Sequence, residues 1–293
     1  MKKIGCLIYF WGDKYERMGH CALNSFKKYH PDITLHHINE ENRNDFKCIE
    51  AWNLGHRAFR YMVAVEIMKT YQYDKMIVLG GDTITCGRLD EFLDNNEHDI
   101  LATLDYPYPL IEGGRLLCPN QETHLNADVV CFNKIAPIVD IIKMTSRFPE
   151  YAEQAALNYV VWSPAYNYSC NIVDGPYIDS SVVYNVRSKG NMCLPYEYQD
   201  HSATTGVPPK FPSYEKPWGK YTSKFYVKND KLYTNDDKQI KVWHYCEGFG
   251  AHPSENLKKI MNNYIFKWFN EETKIFFKEQ CDCGDFFEKE FTF

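Results

Sequence analysis

The sequence contains no long hydrophobic run. None of its 293 residues belongs to a window that approaches the roughly 18 consecutive apolar residues of a membrane-spanning helix. The apolar stretch near the N-terminus is short and ends at Trp11-Gly12-Asp13, which is not typical of a secretory signal. Low-complexity tracts and internal repeats are also absent. We therefore expect a cytoplasmic globular protein with no membrane span.

A basic stripe and a regular cysteine pattern are missing as well. The formal net charge is −6 at pH 7, which argues against nucleic acid as a partner because such proteins cluster Lys and Arg. The 11 cysteines are odd in number and scattered through apolar segments, which predicts reduced thiols in a cytosol-like compartment. Cys281-X-Cys283 has no second pair of its kind, and one pair alone does not define a zinc site.

The first third of the chain alternates between apolar runs and helical patterns. Strands are predicted at 3–10, 33–38, 76–79 and 99–104, and helices at 18–29 and 52–73. This alternation predicts an α/β fold with a mostly parallel central sheet flanked by helices. Ligands of such sheets bind where the strands end, and Asp13, Asp82 and Asp105 follow predicted strands.

Beyond residue 105 the patterns are less regular. Strands are predicted at 127–132, 182–186 and 239–243, a helix at 149–161, a hairpin at 225–227 and 232–234, and an amphipathic helix at 257–269. Residues 195–222 are rich in Pro, Gly, Tyr and Ser and predict a long loop or lid. We expect one domain over 1–293, divided near residues 105 and 250, with a C-terminal helical segment over 251–293.

The segment Gly80-Gly81-Asp82-Thr83 is the most informative, since it follows an apolar strand directly. Glycines there let a ligand approach the backbone, and an aspartate can hold a hard cation. The segment resembles the Asp-X-Asp-Thr element of nucleotide-sugar glycosyltransferases with the GT-A fold, and the motif order resembles the glycogenin-like branch, family 8. Gly80 stands where that family has its first aspartate. The alternative is an aspartate that only caps a turn.

The resemblance implies a Rossmann-like GT-A enzyme that moves a sugar from a nucleoside-diphosphate sugar, with UDP the favoured nucleotide, to a glycan or glycoconjugate. It also implies a nucleotide-binding half over 1–105 and an acceptor and donor-sugar half over 106–250. Asp82 and His244 correspond to the ligands of a Mn²⁺ or Mg²⁺ ion. Because Gly80 replaces an acid, the metal site is expected to be weak without nucleotide, or to give way to Arg or Lys side chains. On that view, Gly80→Asp should tighten Mn²⁺ binding.

Two further motifs correspond to the family's sugar pocket and reaction centre. Asn126-Ala127-Asp128 resembles an Asn-Ala-Gly strand, and Glu153-Gln154 resembles an Asp-Gln pair beside the anomeric carbon. The candidate catalytic residues are therefore Glu153, Gln154 and Asp128. Retention is favoured, although Asp128 acting as a base would permit inversion. The structural alternatives are an edge-strand Asp128 that faces solvent and a Glu153-Gln154 pair that complements a helix dipole.

The candidate residues for binding the nucleotide sugar are Asp13, Tyr15, Arg60, Gly80, Gly81 and Asn126. Arg60 corresponds to a basic residue in the helix before the metal strand, and its alternative is a solvated helix face. Two rival functions stay open. One is a sugar-nucleotide nucleotidyltransferase, although Trp11-Gly12-Asp13-Lys14 is a poor version of the Gly-rich loop of that class. The other is a non-catalytic protein that binds sugar nucleotides.

Overall fold

The structure is a computed structural model, which describes residues 2–49, 55–104, 121, 124–145, 147, 152–173, 182–183, 186–187, 225–234, 237–244 and 271–281. The helices are α1 (Asp13–Tyr29), α2 (His56–Tyr71), α3 (Asp90–Asp94), α4 (Ile135–Thr145), α5 (Ala152–Trp162) and α6 (Glu271–Cys281). The strands are β1 (Ile4–Tyr9), β2 (Thr34–Ile38), β3 (Lys75–Gly80), β4 (Thr83–Thr85), β5 (Ile100–Leu104), β6 (Leu125–Phe132), β7 (Cys170–Ile172), β8 (Val182–Val183), β9 (Val186–Arg187), β10 (Phe225–Lys228), β11 (Lys231–Thr234), β12 (Gln239–Ile240) and β13 (Val242–His244).

A six-stranded sheet in the order β2-β1-β3-β6-β5-β7 forms the centre of the fold. Strand β1 pairs in parallel with β2 and β3, and β5 pairs in parallel with β7. Strand β6 lies antiparallel between β3 and β5. The predicted α/β fold with a mostly parallel sheet is therefore confirmed. Because β6 and β7 come from beyond residue 105, the two halves of the chain share one sheet.

Both faces of this sheet are buried. Alternate strand residues such as Leu7 and Val78 pack under α2, α4 and α5, while Ile8 and Leu79 pack under α1 and α3. Strands covered on both faces need apolar side chains at every position, which is why they appear as continuous apolar runs in the sequence. This covering gives the ends of β1, β3 and β6 a fixed position.

Two smaller sheets hold the later strands, in the orders β10-β11-β12-β8 and β4-β13-β9. The hairpin of β10 and β11 is confirmed. The prediction of one strand over 182–186 is wrong, because β8 pairs with β12 whereas β9 pairs with β13. Strands β12 and β13 lie on either side of Lys241 and belong to different sheets. Their partners β8 and β9 are therefore also divided between the two sheets.

Some elements were missed and some predictions lie outside the described residues. The sequence did not predict α4, whose Pro137 lies in its first turn, where proline is tolerated. Helix α6 lies in the C-terminal segment, 251–293, that was expected to be helical, but its bounds were not predicted. Its Phe277 packs on Trp243 with ring centroids 4.7 Å apart. The loop 195–222 and the helix 257–269 lie outside the described residues, as do Asp105 and Cys283.

The described residues include no membrane-spanning helix and several free thiols. Among them, no helix has both the length and the apolar character needed to cross a bilayer. The described cysteines that are free thiols are Cys6, Cys21, Cys48, Cys86, Cys131 and Cys170.

His30 couples the stability of the fold to pH. Its buried imidazole accepts a hydrogen bond from the Leu89 amide at 3.2 Å and packs against the Phe26 ring. Burial, assisted by the Arg88 cation, lowers the pKa of His30 from 6.5 to about 4, although Asp32 and Asp90 oppose the shift. Between pH 6.5 and 4, the unfolded chain therefore binds a proton at His30 that the folded protein does not bind.

We expect the contribution of neutral, buried His30 to the free energy of unfolding to be complete above pH 6.5 and to be lost as the pH falls towards 4. The loss should approach about 3 kcal/mol, at 1.36 kcal/mol for each pKa unit. Urea unfolding at several pH values checks it, with His30→Gln as the control because the glutamine oxygen can accept the same hydrogen bond without titrating. If wild type and His30→Gln lose stability in parallel over this range, His30 is not responsible.

Candidate metal centre

The turn between β3 and β4 presents Asp82 at the end of the central sheet. The Thr83 hydroxyl donates to the Gly80 carbonyl at 2.7 Å and closes the turn. The Gly81 amide donates to the Tyr9 carbonyl at 2.7 Å. A Cβ atom at Gly81 would lie 2.5 Å from Phe10 Cβ and 2.8 Å from that carbonyl. Gly81 is thus required by the close packing of β1 against this turn.

Strand β13 brings His244 to Asp82 from 162 residues away. It pairs antiparallel with β4, and His244 lies opposite Thr83. The His244 side chain is 1% exposed, and its Nε2 atom lies 3.1 Å from Asp82 Oδ1. The packing of Trp243 on α6 holds this strand in place. Asp82 and His244, the two predicted metal ligands, therefore meet at one point.

Asp128 reaches the same point from β6. Its Oδ2 atom lies 3.8 Å from His244 Nε2, and its side chain is 23% exposed. The alternative that Asp128 sits on an edge strand and faces solvent is wrong, since β6 lies between β3 and β5. The sequence assigned Asp128 to the donor sugar or to catalysis, whereas the structure places it with the candidate metal ligands.

The three side chains have a geometry that suits a divalent cation. One ligand atom from each of Asp82, Asp128 and His244 lies within 4.8 Å of the others. An octahedral ion with bonds of about 2.1 Å holds its ligand atoms about 3 to 4 Å apart. Carboxylate oxygens suit Mg²⁺ and Mn²⁺, and an imidazole nitrogen suits first-row transition metals. The donor set therefore fits Mn²⁺ well and Mg²⁺ less well.

Arg60 on α2 supports this cluster from behind. Its side chain is 0% exposed, so the alternative of a solvated helix face is wrong. The guanidinium pairs with Asp128 through Nη1, and Nη2 donates to Glu153 Oε1 at 3.1 Å and to the Ala127 carbonyl at 3.0 Å. It also stacks 4.1 Å from the centre of the Tyr9 ring. Arg60 thus joins the candidate metal ligand to the candidate catalytic acid.

The electrostatics of Arg60 follow from these contacts. Burial opposes its charge, but Asp128, Tyr61 and Glu153 outweigh that cost and raise the pKa of Arg60 above its ordinary value. A buried cation that is paired with two acidic side chains keeps its charge despite the cost of desolvation. The site therefore has fixed charge before any ligand arrives.

Helix α5 fixes the other side of the site. Gln154 Oε1 accepts from the Ala127 amide at 3.2 Å, and Asn126 Oδ1 accepts from the Asp128 amide at 2.8 Å. Asn158 bonds both backbone groups of Leu125, at 2.7 Å and 2.9 Å. The Gln154 and Asn158 side chains dock α5 on β6, so Glu153 and Gln154 lie beside Asn126 and Asp128.

Two predicted residues are not placed at the site, and one important residue was missed. Asp13 and Tyr15 lie in the first turn of α1, and their side chains are outside the described part of the structure. Tyr9, which sequence reasoning did not select, donates its hydroxyl to Asp128 Oδ1. Its position at the end of an otherwise apolar strand, at the edge where ligands bind, was the available signal.

The solved structures that this chain resembles include glycosyltransferases of low sequence identity. No family model and no curated protein matches the chain. An active-site mutant of LgtC matches 92% of this chain and 99% of its own, at 14% identity and a TM-score of 0.48. The galactosyltransferase LgtC with donor and acceptor sugar analogues matches 93% and 99%, at 17% identity and a TM-score of 0.45. Apo GlyE, a glycosyltransferase of Streptococcus pneumoniae TIGR4, matches 100% and 65%, at 14% identity and a TM-score of 0.46.

With such low identities and TM-scores, the function rests on the site rather than on these likenesses. Membership of family 8 stays a prediction.

Proposed function

We propose that the protein is a GT-A glycosyltransferase that moves a sugar from a nucleoside-diphosphate sugar, UDP being the favoured nucleotide, to a glycan or glycoconjugate. The observation that carries this proposal is the convergence of Asp82, Asp128 and His244 at the end of the central sheet, backed by buried Arg60. Open α/β sheets bind their ligands at this edge. We further propose that residues 1–105 bind the nucleotide and 106–250 the sugars.

A divalent cation suits this reaction for an electrostatic reason. Asp82, Asp128 and His244 would hold Mn²⁺ or Mg²⁺, which would neutralise the charge that develops on the departing diphosphate. Two carboxylates would otherwise repel a diphosphate. An acidic pocket that binds an anionic substrate therefore makes physical sense only when a cation lies between them.

The remaining residues would position the donor sugar. Asn126, Glu153 and Gln154 lie on the β6 and α5 side of the cluster, where a sugar attached to the diphosphate would extend. Asn126 and Gln154 are held by backbone groups of β6. Because Arg60 pairs with both Asp128 and Glu153, it would act as a positioning residue rather than as a contact to the donor.

The free thiols of the described residues suit a reducing, cytoplasm-like compartment.

The test is the release of UDP from a panel of UDP-sugars, measured with Mn²⁺, with Mg²⁺ and with a chelator. We expect UDP release with at least one sugar in the presence of metal and none with chelator. Wild type supplemented with nucleoside triphosphate and sugar 1-phosphate serves as the control, because a nucleotidyltransferase would form diphosphate from that pair. If no sugar yields UDP under any condition, the glycosyltransferase proposal fails. Diphosphate formed in the control would then indicate a nucleotidyltransferase, and no product in either assay would indicate a binding role.

A further inference from the structure

A row of three residues crosses the central sheet at the metal centre. Tyr9 on β1 lies opposite Gly80 on β3. Leu79 lies opposite Val129, and the same antiparallel register continued by one residue places Asp128 opposite Gly80. Strand side chains alternate between the two faces, and Leu7, Val78 and Val130 face α2 and α5. Tyr9, Gly80 and Asp128 therefore share that face.

The space above Gly80 is occupied by its neighbours in this row. A Cβ atom at position 80 would lie 2.7 Å from Asp82 Oδ1, 3.1 Å from Asp128 Cβ and 3.3 Å from Asp128 Cγ. The only described glycines with positive φ are Gly12 and Gly55, so the backbone at Gly80 does not demand glycine. A side chain at position 80 and the side chain of Asp128 would instead compete for one volume.

The Asp128 carboxylate is held with one oxygen towards the metal centre. Its Oδ1 atom accepts from the Tyr9 hydroxyl and pairs with Arg60. Its Oδ2 atom faces His244 at 3.8 Å. Metal-binding carboxylates are commonly oriented in this way, with outer hydrogen bonds fixing the oxygen that does not bind the ion. Without a side chain at position 80, the hydroxyl of Tyr9 can reach across to Asp128.

We propose that Asp128 supplies the acid that position 80 lacks, so that positions 80 and 128 are alternative attachment points on adjacent strands for one carboxylate of the metal centre. The inference rests on the proposed function only in taking the cluster as a divalent-cation site. It reverses the sequence-based expectation for Gly80→Asp. With Asp128 in place, an added aspartate would crowd two carboxylates and repel them, and so weaken Mn²⁺ binding.

The experiment is titration of the full chain with Mn²⁺, following free Mn²⁺ by its electron paramagnetic resonance signal, with and without UDP. The variants are Asp128→Asn, Asp128→Gly, Gly80→Asp and the double variant Gly80→Asp/Asp128→Gly. Asp94→Asn, a change at an exposed helical acid, is the matched control. Thermal melting of each variant confirms that it is folded. Asp128→Asn should weaken Mn²⁺ binding by at least about 10-fold, on the scale set by loss of ligand support.

We expect Gly80→Asp alone to bind Mn²⁺ no more tightly than wild type, and the double variant to recover most of the affinity that Asp128→Gly loses. If the glycine variants do not fold, Asp128→Asn and Gly80→Asp decide the matter between them. Unchanged Mn²⁺ affinity in Asp128→Asn, or tighter Mn²⁺ binding in Gly80→Asp, would overturn the proposal that Asp128 replaces an acid at position 80. Either result would still be compatible with a metal site. Absence of Mn²⁺ binding in wild type overturns the metal site and the metal-dependent mechanism together.

Discussion

Replacing Asp82 with asparagine should reduce metal-dependent UDP release by at least about 100-fold, the scale seen when one stabilising contact to a developing negative charge is removed. Asp82 Oδ1 lies 3.1 Å from His244 Nε2 and belongs to the cluster that, in the proposed function, would hold the cation beside the departing diphosphate. The amide keeps the shape of the side chain but removes the charge. Steady-state kinetics on whichever UDP-sugar the wild type uses would measure the loss.

The same substitution should cost little stability, because Asp82 is partly exposed and its removal relieves repulsion from Asp128. We expect the free energy of unfolding to change by less than about 1 kcal/mol. Asp94→Asn, an equally conservative change outside the site, should leave both activity and stability unchanged. Retained activity in a folded Asp82→Asn variant would contradict the role of Asp82 as a metal ligand.

Arg60→Met should destabilise the protein by about 3 to 5 kcal/mol, the usual cost of removing one partner from a buried ion pair. The substitution leaves Asp128 and Glu153 without their buried cation and removes the donor to the Ala127 carbonyl. Methionine fills much of the same volume, so the loss would reflect charge and hydrogen bonding more than a cavity. Urea unfolding at neutral pH would measure it.

A triple variant gives the matched control for Arg60. In Arg60→Met/Asp128→Asn/Glu153→Gln the two acids are neutral, so no buried charge is left unpaired and most of the lost stability should return. If the free energy of unfolding of Arg60→Met lies within about 0.5 kcal/mol of the wild-type value, a difference typical of surface substitutions, then Arg60 does not hold the two acids as described.

The sequence predicted the core strands well for a physical reason. Strands such as β1 and β3 are buried on both faces, so they appear as continuous apolar runs bounded by polar turns. Helix α4 was not predicted because most of its residues are apolar and it carries Pro137. Short strands such as β7, β8 and β9 depend on partners far away in the sequence, which no local pattern reveals.

Most members of the candidate site were predictable from the sequence, but their arrangement was not. Asp82 and His244 were paired through the resemblance, and the structure brings their side chains together. The place of Asp128 depends on β6 entering the sheet antiparallel beside β3, a register set by pairing between distant segments. The sequence alone shows that position 80 carries a glycine where the resembled motif has an aspartate. Only the fold shows that a carboxylate on the next strand lies in the space above it.

The central claim is that a divalent cation and a nucleoside diphosphate bind together at this site, and a thermal-shift experiment tests it most directly. Wild type would be melted alone, with Mn²⁺, with UDP and with both, beside Asp82→Asn. Ligands that bind the folded state raise the melting temperature, and coupled ligands raise it by more than the sum of their separate effects. We predict such a surplus in wild type and its loss in Asp82→Asn. No shift with UDP and Mn²⁺ together, or an equal surplus in Asp82→Asn, would contradict the account.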